Sequence, residues 1–435
     1  MNTESNIGAN IVGRGNRDGA RLFREWFEDL SALAERGERA AYVFVMGSLN
    51  EVLKSFDMPV SFPEISSLQL AVRRVAHEYL GEAEDYGYSP DICGYVKGDV
   101  AVQLRRGKHP MGRIPKPSIA VYTNACNTYV KWAEIWERMH KIPIFTLDVP
   151  GHRQLGVHTK PGDADFESDR RYVETQIREL ITLCEKVTGK AFDIDRLRET
   201  MGYANTMSRC WKRVLELNAQ SPAVFNALTD GTIYLGVANG LRGTAAGAKY
   251  FEDLVEELEY KVNKGLGTTV DERHRLCFVG VPCYPSFRRF NELFSEWGGV
   301  FVNSTYLWFA SGGTSSGYEY DLKDPIPALA EGFMLTVRDA MDSMFDQTTM
   351  IRDSIERFGV DGVVYHPIKS CRTVSTGLAD SRRALMEQTG ISSLFIESDM
   401  MDRRVISEAQ LKNRIDAFFE GLNSRKQRAA AGGAN

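Results

Sequence analysis

The chain has 435 residues, 43% hydrophobic and 26% charged, which is ordinary globular usage and enough for two or three domains. Wholesale disorder, a collagen-like repeat and a small disulfide scaffold are excluded. Lys and Arg number 53 against 58 Asp and Glu, a formal net charge of −5, so no global field favours nucleic acid or an anionic membrane.

Residues 1–18 are polar and hold no apolar core segment, so they do not read as a secretory signal. Apolar runs such as 40–46 have strand length, short of the roughly 20 residues a membrane span needs. A cytoplasmic, reducing location is expected, with no membrane or nucleic-acid partner. There the 7 cysteines act as core thiols, metal ligands or nucleophiles rather than disulfides.

In chain order, 41–46 (AYVFVM) predicts a buried strand and 49–56 a helix. A second strand at 118–122 (SIAVY) leads through Thr123, Asn124, Ala125 and Cys126 into a helix over 129–139, with Trp132 and Trp136 one turn apart. The run 143–147 (PIFTL) returns as a strand, so the segment is a βαβ unit of a parallel sheet. From about 163 to 260 the apolar residues recur at helical spacing, most plainly over 171–188 and 252–263. Strands are predicted again at 276–281, 299–303, 360–365 and 394–397, with helices over 286–296, 376–388 and 407–421. The expectation is an α/β protein with two Rossmann- or flavodoxin-like parallel-sheet domains and a helical insert between them. Its divisions are an arm at 1–39, a first domain at 40–162, a helical segment at 163–272, a second domain at 273–424 and a flexible tail at 425–435.

Several chemical signatures are missing. No GxxxxGK[ST] phosphate cradle, no strand-linked GxGxxG, and no HExxH, GxSxG or paired CxxC occurs. The run 311–317 (SGGTSSG) suits either a phosphate loop or a plain surface loop. Gly236, Gly240, Gly243 and Gly247 are spaced for close helix contact.

The cysteines separate by context. Cys184 and Cys210 lie in helical stretches and Cys277 in a strand, as core thiols do. Cys93, Cys126, Cys283 and Cys371 lie in turns. Ligands of parallel α/β domains collect at strand carboxyl ends, and a helix N-terminus favours a thiolate. Position alone leaves metal ligands and ordinary turn thiols both open for this group.

Three segments carry a resemblance: PDICGYVKGDV around Cys93, YTNACNTYVKWAE around Cys126 and VVYHPIKSCR around Cys371. With VFVMGSLNEVLKSFDMPVSFPE and GGTSSGYEYDLKDPIP, they resemble the 2-hydroxyacyl-CoA dehydratase/benzoyl-CoA reductase family over about 40–421. The resemblance implies a [4Fe-4S] cluster held by Cys93, Cys126 and Cys371, with one iron lacking a Cys ligand and Cys283 outside the set. It implies a CoA-thioester substrate, a homologous smaller subunit, and separate ATP-hydrolysing iron–sulfur activator subunits. The implied reaction is reduction of benzoyl-CoA, or a substituted analogue, to a cyclohexadienoyl-CoA. The alternatives are dehydration of an (R)-2-hydroxyacyl-CoA through a ketyl radical, and a non-catalytic cluster- or CoA-binding role.

Two further expectations come from the residues. The acid-free segment 103–117 brings Arg105, Arg106, Lys108, Arg113 and Lys116 together as candidates for the CoA phosphates, or else as a solvated or docking loop. His366, Tyr95 and Lys369 are candidate proton donors, and each would serve equally as a structural polar group.

Overall fold

The computed structural model describes residues 11–152, 159–312, 316–339, 341 and 347–432. Among them lie β1 (Arg39–Val43), β2 (Val60–Ser61), β3 (Lys108–His109), β4 (Gly112–Arg113), β5 (Lys116–Thr123), β6 (Ile144–Leu147), β7 (His274–Gly280), β8 (Gly299–Ser304), β9 (Gly362–His366) and β10 (Ser392–Phe395). The first sheet has the order β2-β1-β5-β6 and the second β10-β9-β7-β8, and every pairing in both is parallel. The pair β3-β4 is a small antiparallel hairpin. The fold is therefore α/β with two four-stranded parallel sheets, as the sequence predicts. Their central strands are buried on both faces, which is why these read as apolar runs such as IAVY and LCFVG.

Between the sheets in sequence come the helices Ala164–Thr188, Ile194–Leu217, Thr229–Gly240 and Ala245–Asn263. The N-terminal helix Arg14–Glu35 closes onto them. Tyr250 donates its hydroxyl to Gly15 O at 3.0 Å, and a Cβ on Gly236 would stand 2.7 Å from the Phe23 ring. The glycines at 236 and 240 thus serve close packing, the second of them against Trp26.

One local expectation needs correction. The tail predicted to be flexible from 425 onward instead continues the last helix, Glu408–Gly432. Arg425 donates to Ser392 Oγ and Lys426 pairs with Asp361 at 2.9 Å, so the basic residues pin this helix to the second sheet. The turn expected around Cys93 ends at that residue, and the helix Gly94–Leu104 begins directly after it. That helix is buried on every side and so carries no amphipathic stripe.

Its polar residues are satisfied internally. Asp99, 2% exposed, accepts from Trp132 Nε1 at 2.7 Å, Trp136 Nε1 at 2.6 Å and Gln103 Nε2 at 2.9 Å. Burial pushes its carboxyl pKa up, and these three donors oppose the shift. Asp99→Ala leaves two indole N–H groups without an acceptor in the core of the first domain. A loss of about 3 kcal/mol is expected, read as the shift in the denaturant midpoint.

Candidate active site

The carboxyl ends of both sheets open onto one cavity of about 630 Å³. Met46 follows β1 and Cys126 follows β5 on its wall; Val281 and Tyr284 follow β7, Tyr306 follows β8 and Cys371 follows β9. This is the edge where parallel α/β sheets bind ligands, and the volume falls within the range of small-molecule sites.

Three cysteines reach the cavity from separate elements. Cys93, Cys126 and Cys371 each stand immediately before a helix: Gly94–Leu104, Asn127–His140 and Arg372–Ser375. Backbone N–H groups face the sulfurs, from Val96 and Tyr95 to Cys93, from Thr128 to Cys126, and from Val374 and Thr373 to Cys371. Burial pushes all three thiol pKa values up, that of Cys371 to about 12, and the N–H groups pull them back. Cys93 also feels Cys371 and Cys126, so the three thiols share one electrostatic environment. The Cys93 and Cys371 segments are tied by Gly94 N–H to Ser370 Oγ at 3.4 Å, and Cys126 Sγ lies 3.7 Å from Thr373 Oγ1. Asp399 braces this joint by accepting from Ser370 N–H at 2.9 Å.

Among the described residues no three His, Cys, Asp or Glu side chains close around one point as single-ion ligands do. The three thiols instead line one cavity and act on one another electrostatically. A donor set of three thiols with inward N–H groups and no imidazole fits a thiolate-held cluster, whose sulfurs bind different metals, better than one ion.

Beside the thiols sits a carboxyl that sequence reasoning missed. Glu64, 8% exposed, accepts from Val45 N–H at 2.7 Å and from the Tyr129 hydroxyl at 2.8 Å. β1 ends at Val43 rather than at 46, and the Val45 N–H beyond it is given to this carboxyl. Burial raises the Glu64 pKa to about 7, against the opposing pull of those two donors. An acid in the first turn after Pro63 is an ordinary helix start, so nothing in the sequence marks it.

Of the predicted proton donors, Tyr95 lines the cavity, its buried hydroxyl turned toward that of Tyr306. The buried Tyr284 hydroxyl also meets that of Tyr306, and reaches Thr232. His366 does not take the role expected of it. Its Nδ1 lies 2.5 Å from Val281 O and its Nε2 2.5 Å from Ser398 Oγ. The carbonyl can only accept, so Nδ1 carries the proton and Nε2 accepts from Ser398. Burial lowers its pKa to about 4. His366 is a neutral structural histidine, outside the cavity wall. Lys369 is exposed and also stands apart from the wall.

The basic segment 103–117 is likewise absent from the cavity wall, apart from Met111. Arg105 pairs with Glu82 at 2.5 Å over the Tyr79 ring, and Arg113 pairs with Glu35 at 2.9 Å while donating to Arg106 O. Lys108 and Lys116 lie on strands β3 and β5. The five basic residues do not line the cavity: they lie just past a helix end, in the small hairpin and at the start of β5. Cys184, Cys210 and Cys277 are buried core thiols, and Cys283, also buried, lies 3.5 Å from Ser398 Oγ. Of the run 311–317, residues 313–315 lie outside the described residues.

Two parallel sheets thus present thiols from separate helix starts to one shared cavity. A family model described as "2-hydroxyglutaryl-CoA dehydratase, D-component" matches residues 47–422, and the chain belongs to that family. It is 30% identical to a benzoyl-CoA reductase subunit of Thauera aromatica over 93% of both chains. It is 27% identical to the (R)-phenyllactyl-CoA dehydratase alpha subunit of Clostridium sporogenes, covering 90% of this chain and 92% of that one. With the (R)-2-hydroxyglutaryl-CoA dehydratase alpha subunit of Acidaminococcus fermentans the identity is 24%, over 92% and 95%. Each relative is a subunit of an enzyme. No helix among the described residues is long and apolar enough to cross a membrane.

Proposed function

We propose that this chain is the substrate-handling subunit of an iron–sulfur enzyme that reduces benzoyl-CoA, or a ring-substituted analogue, to a cyclohexadienoyl-CoA. The observation that carries the reading is the meeting of Cys93, Cys126 and Cys371 with the protonatable Glu64 in one largely apolar cavity. The higher identity to a benzoyl-CoA reductase subunit, 30% against 27% and 24%, favours reduction over dehydration. Cys93, Cys126 and Cys371 would hold a [4Fe-4S] cluster. When bound, it would supply electrons singly and leave one iron open to a thioester oxygen.

The chain's own residues account for the remaining steps. Trp132, Phe309 and Val374 shape an apolar wall around the acyl group and keep water from it. Adding two electrons to the ring requires two protons, and Glu64, hydrogen-bonded to Tyr129 and with a pKa raised to about 7, is poised to deliver one of them. ATP-driven electron delivery belongs to separate activator subunits in this reading, and a homologous smaller subunit completes the complex.

The test is product analysis with the anaerobically purified complex and a reduced activator. Benzoyl-CoA should consume electrons and yield a dienoyl-CoA, with iron and acid-labile sulfide present in the protein. An enoyl-CoA formed from a 2-hydroxyacyl-CoA with no net electron consumption would assign the dehydratase reaction instead. Protein free of iron and sulfide would remove the cluster.

A further inference from the structure

The cavity has an exposed rim, formed by Ala20, Arg24, Val72, Arg73, Arg288 and Glu292. These residues come from three helices: Arg14–Glu35, the end of Pro63–Val72, and Phe287–Ser295. Arg24 is paired with Glu28 at 3.7 Å, and an Arg289 pair at 3.6 Å engages Glu292. No ion pair is formed by Arg73 or Arg288 among the described residues, and both side chains line the opening. Two uncommitted guanidinium groups therefore border the entrance to an apolar cavity.

The distance from rim to reacting end can be read along one helix. Glu64 lies in the first turn of Pro63–Val72, beside Tyr129 and within the field of Cys126. Arg73 follows the last turn, nine residues on, which is about 14 Å at 1.5 Å per residue. That span is comparable with an extended pantetheine arm. A thioester whose acyl group lies beside Glu64 and the thiols would bring its nucleotide phosphates to the rim.

The geometry points to Arg73 and Arg288 as the residues that bind the phosphates of coenzyme A, in place of the basic segment 103–117. The inference rests on the reading that the substrate is a CoA thioester. Guanidinium forks suit phosphate oxygens, and at an exposed rim the contact steers the substrate as well as holding it.

Titration of the complete anaerobic complex with free CoA and with pantetheine, which has the arm and no nucleotide, tests the assignment. R73Q and R288Q should each weaken CoA binding about tenfold, and the double variant about 100-fold, with pantetheine affinity unchanged. Raising the salt concentration should weaken CoA binding by the wild type and have less effect on the double variant. An R106Q/R113Q variant should bind CoA as the wild type does. Unchanged CoA affinity in R73Q/R288Q, or an equal loss for pantetheine, overturns the assignment. A loss confined to R106Q/R113Q overturns it in favour of the segment 103–117. A wild-type complex that binds no CoA would overturn it together with the thioester reading, and is distinguishable because no variant enters that measurement.

Discussion

Glu64→Gln is expected to lower turnover by about 10²- to 10⁴-fold while leaving the fold and CoA affinity intact. Glutamine reproduces the hydrogen bonds of the protonated acid. Its amide oxygen accepts from Val45 N–H, and its NH₂ meets the Tyr129 oxygen once that hydroxyl, which donates to the wild-type carboxylate, turns its proton away. What it lacks is a transferable proton, so the loss should fall on kcat. The wild type has a carboxyl pKa of about 7, so its rate should decline as pH rises through that value; the variant's residual rate should not follow it. Stability has the same sign. The folded pKa lies above the ordinary 4.5, so between those values the folded state keeps a proton that the unfolded chain gives up. Stability therefore falls as pH rises from 4.5 to 7, by about 3 kcal/mol at most, and Glu64→Gln should flatten that slope in denaturant titrations. Full turnover in the glutamine variant would remove Glu64 from proton transfer.

Parallel strands buried on both faces leave continuous apolar runs, so both sheets and the helical stretch between them were legible in the sequence. The βαβ order also placed Cys126 and Cys371 at strand ends. Helices buried on all sides were not legible. GYVKGDVAVQL shows no stripe because Lys97 pairs with Glu84 at 2.9 Å and Asp99 is held by two tryptophans, so charged residues sit where an amphipathic pattern needs apolar ones. A run of basic residues does not reveal that Arg105 and Arg113 turn to Glu82 and Glu35. His366 misled for a related reason. A histidine at a strand end near a cysteine looks catalytic until both ring nitrogens prove to be occupied. Glu64 needed the fold, because its shifted pKa comes from burial among neighbours far from it in sequence, such as Tyr129.

Single Cys93→Ala, Cys126→Ala and Cys371→Ala variants are each expected to lose the cluster and to lower turnover by more than about 100-fold, the upper end of what outer-shell changes around metals cost. The three side chains project from separate helix starts, and each sulfur meets its own backbone N–H groups, so no neighbour can take over a missing ligand. Cys283 supplies the contrast. It follows β7 as Cys371 follows β9, yet it is 1% exposed and lies against Ser398 rather than on the cavity wall. Ser398 Oγ lies 3.5 Å from the Cys283 sulfur, and burial pushes that thiol's pKa up to about 11 against the pull of this hydroxyl. Cys283→Ala should retain full iron and sulfide content and lose only modest stability, about 1 kcal/mol. Iron and acid-labile sulfide assays on the four anaerobically purified variants separate the outcomes. Iron retained in any one of the three alanine variants would break the ligand set, and iron lost with Cys283→Ala would enlarge it to four and remove the open site on which thioester binding depends.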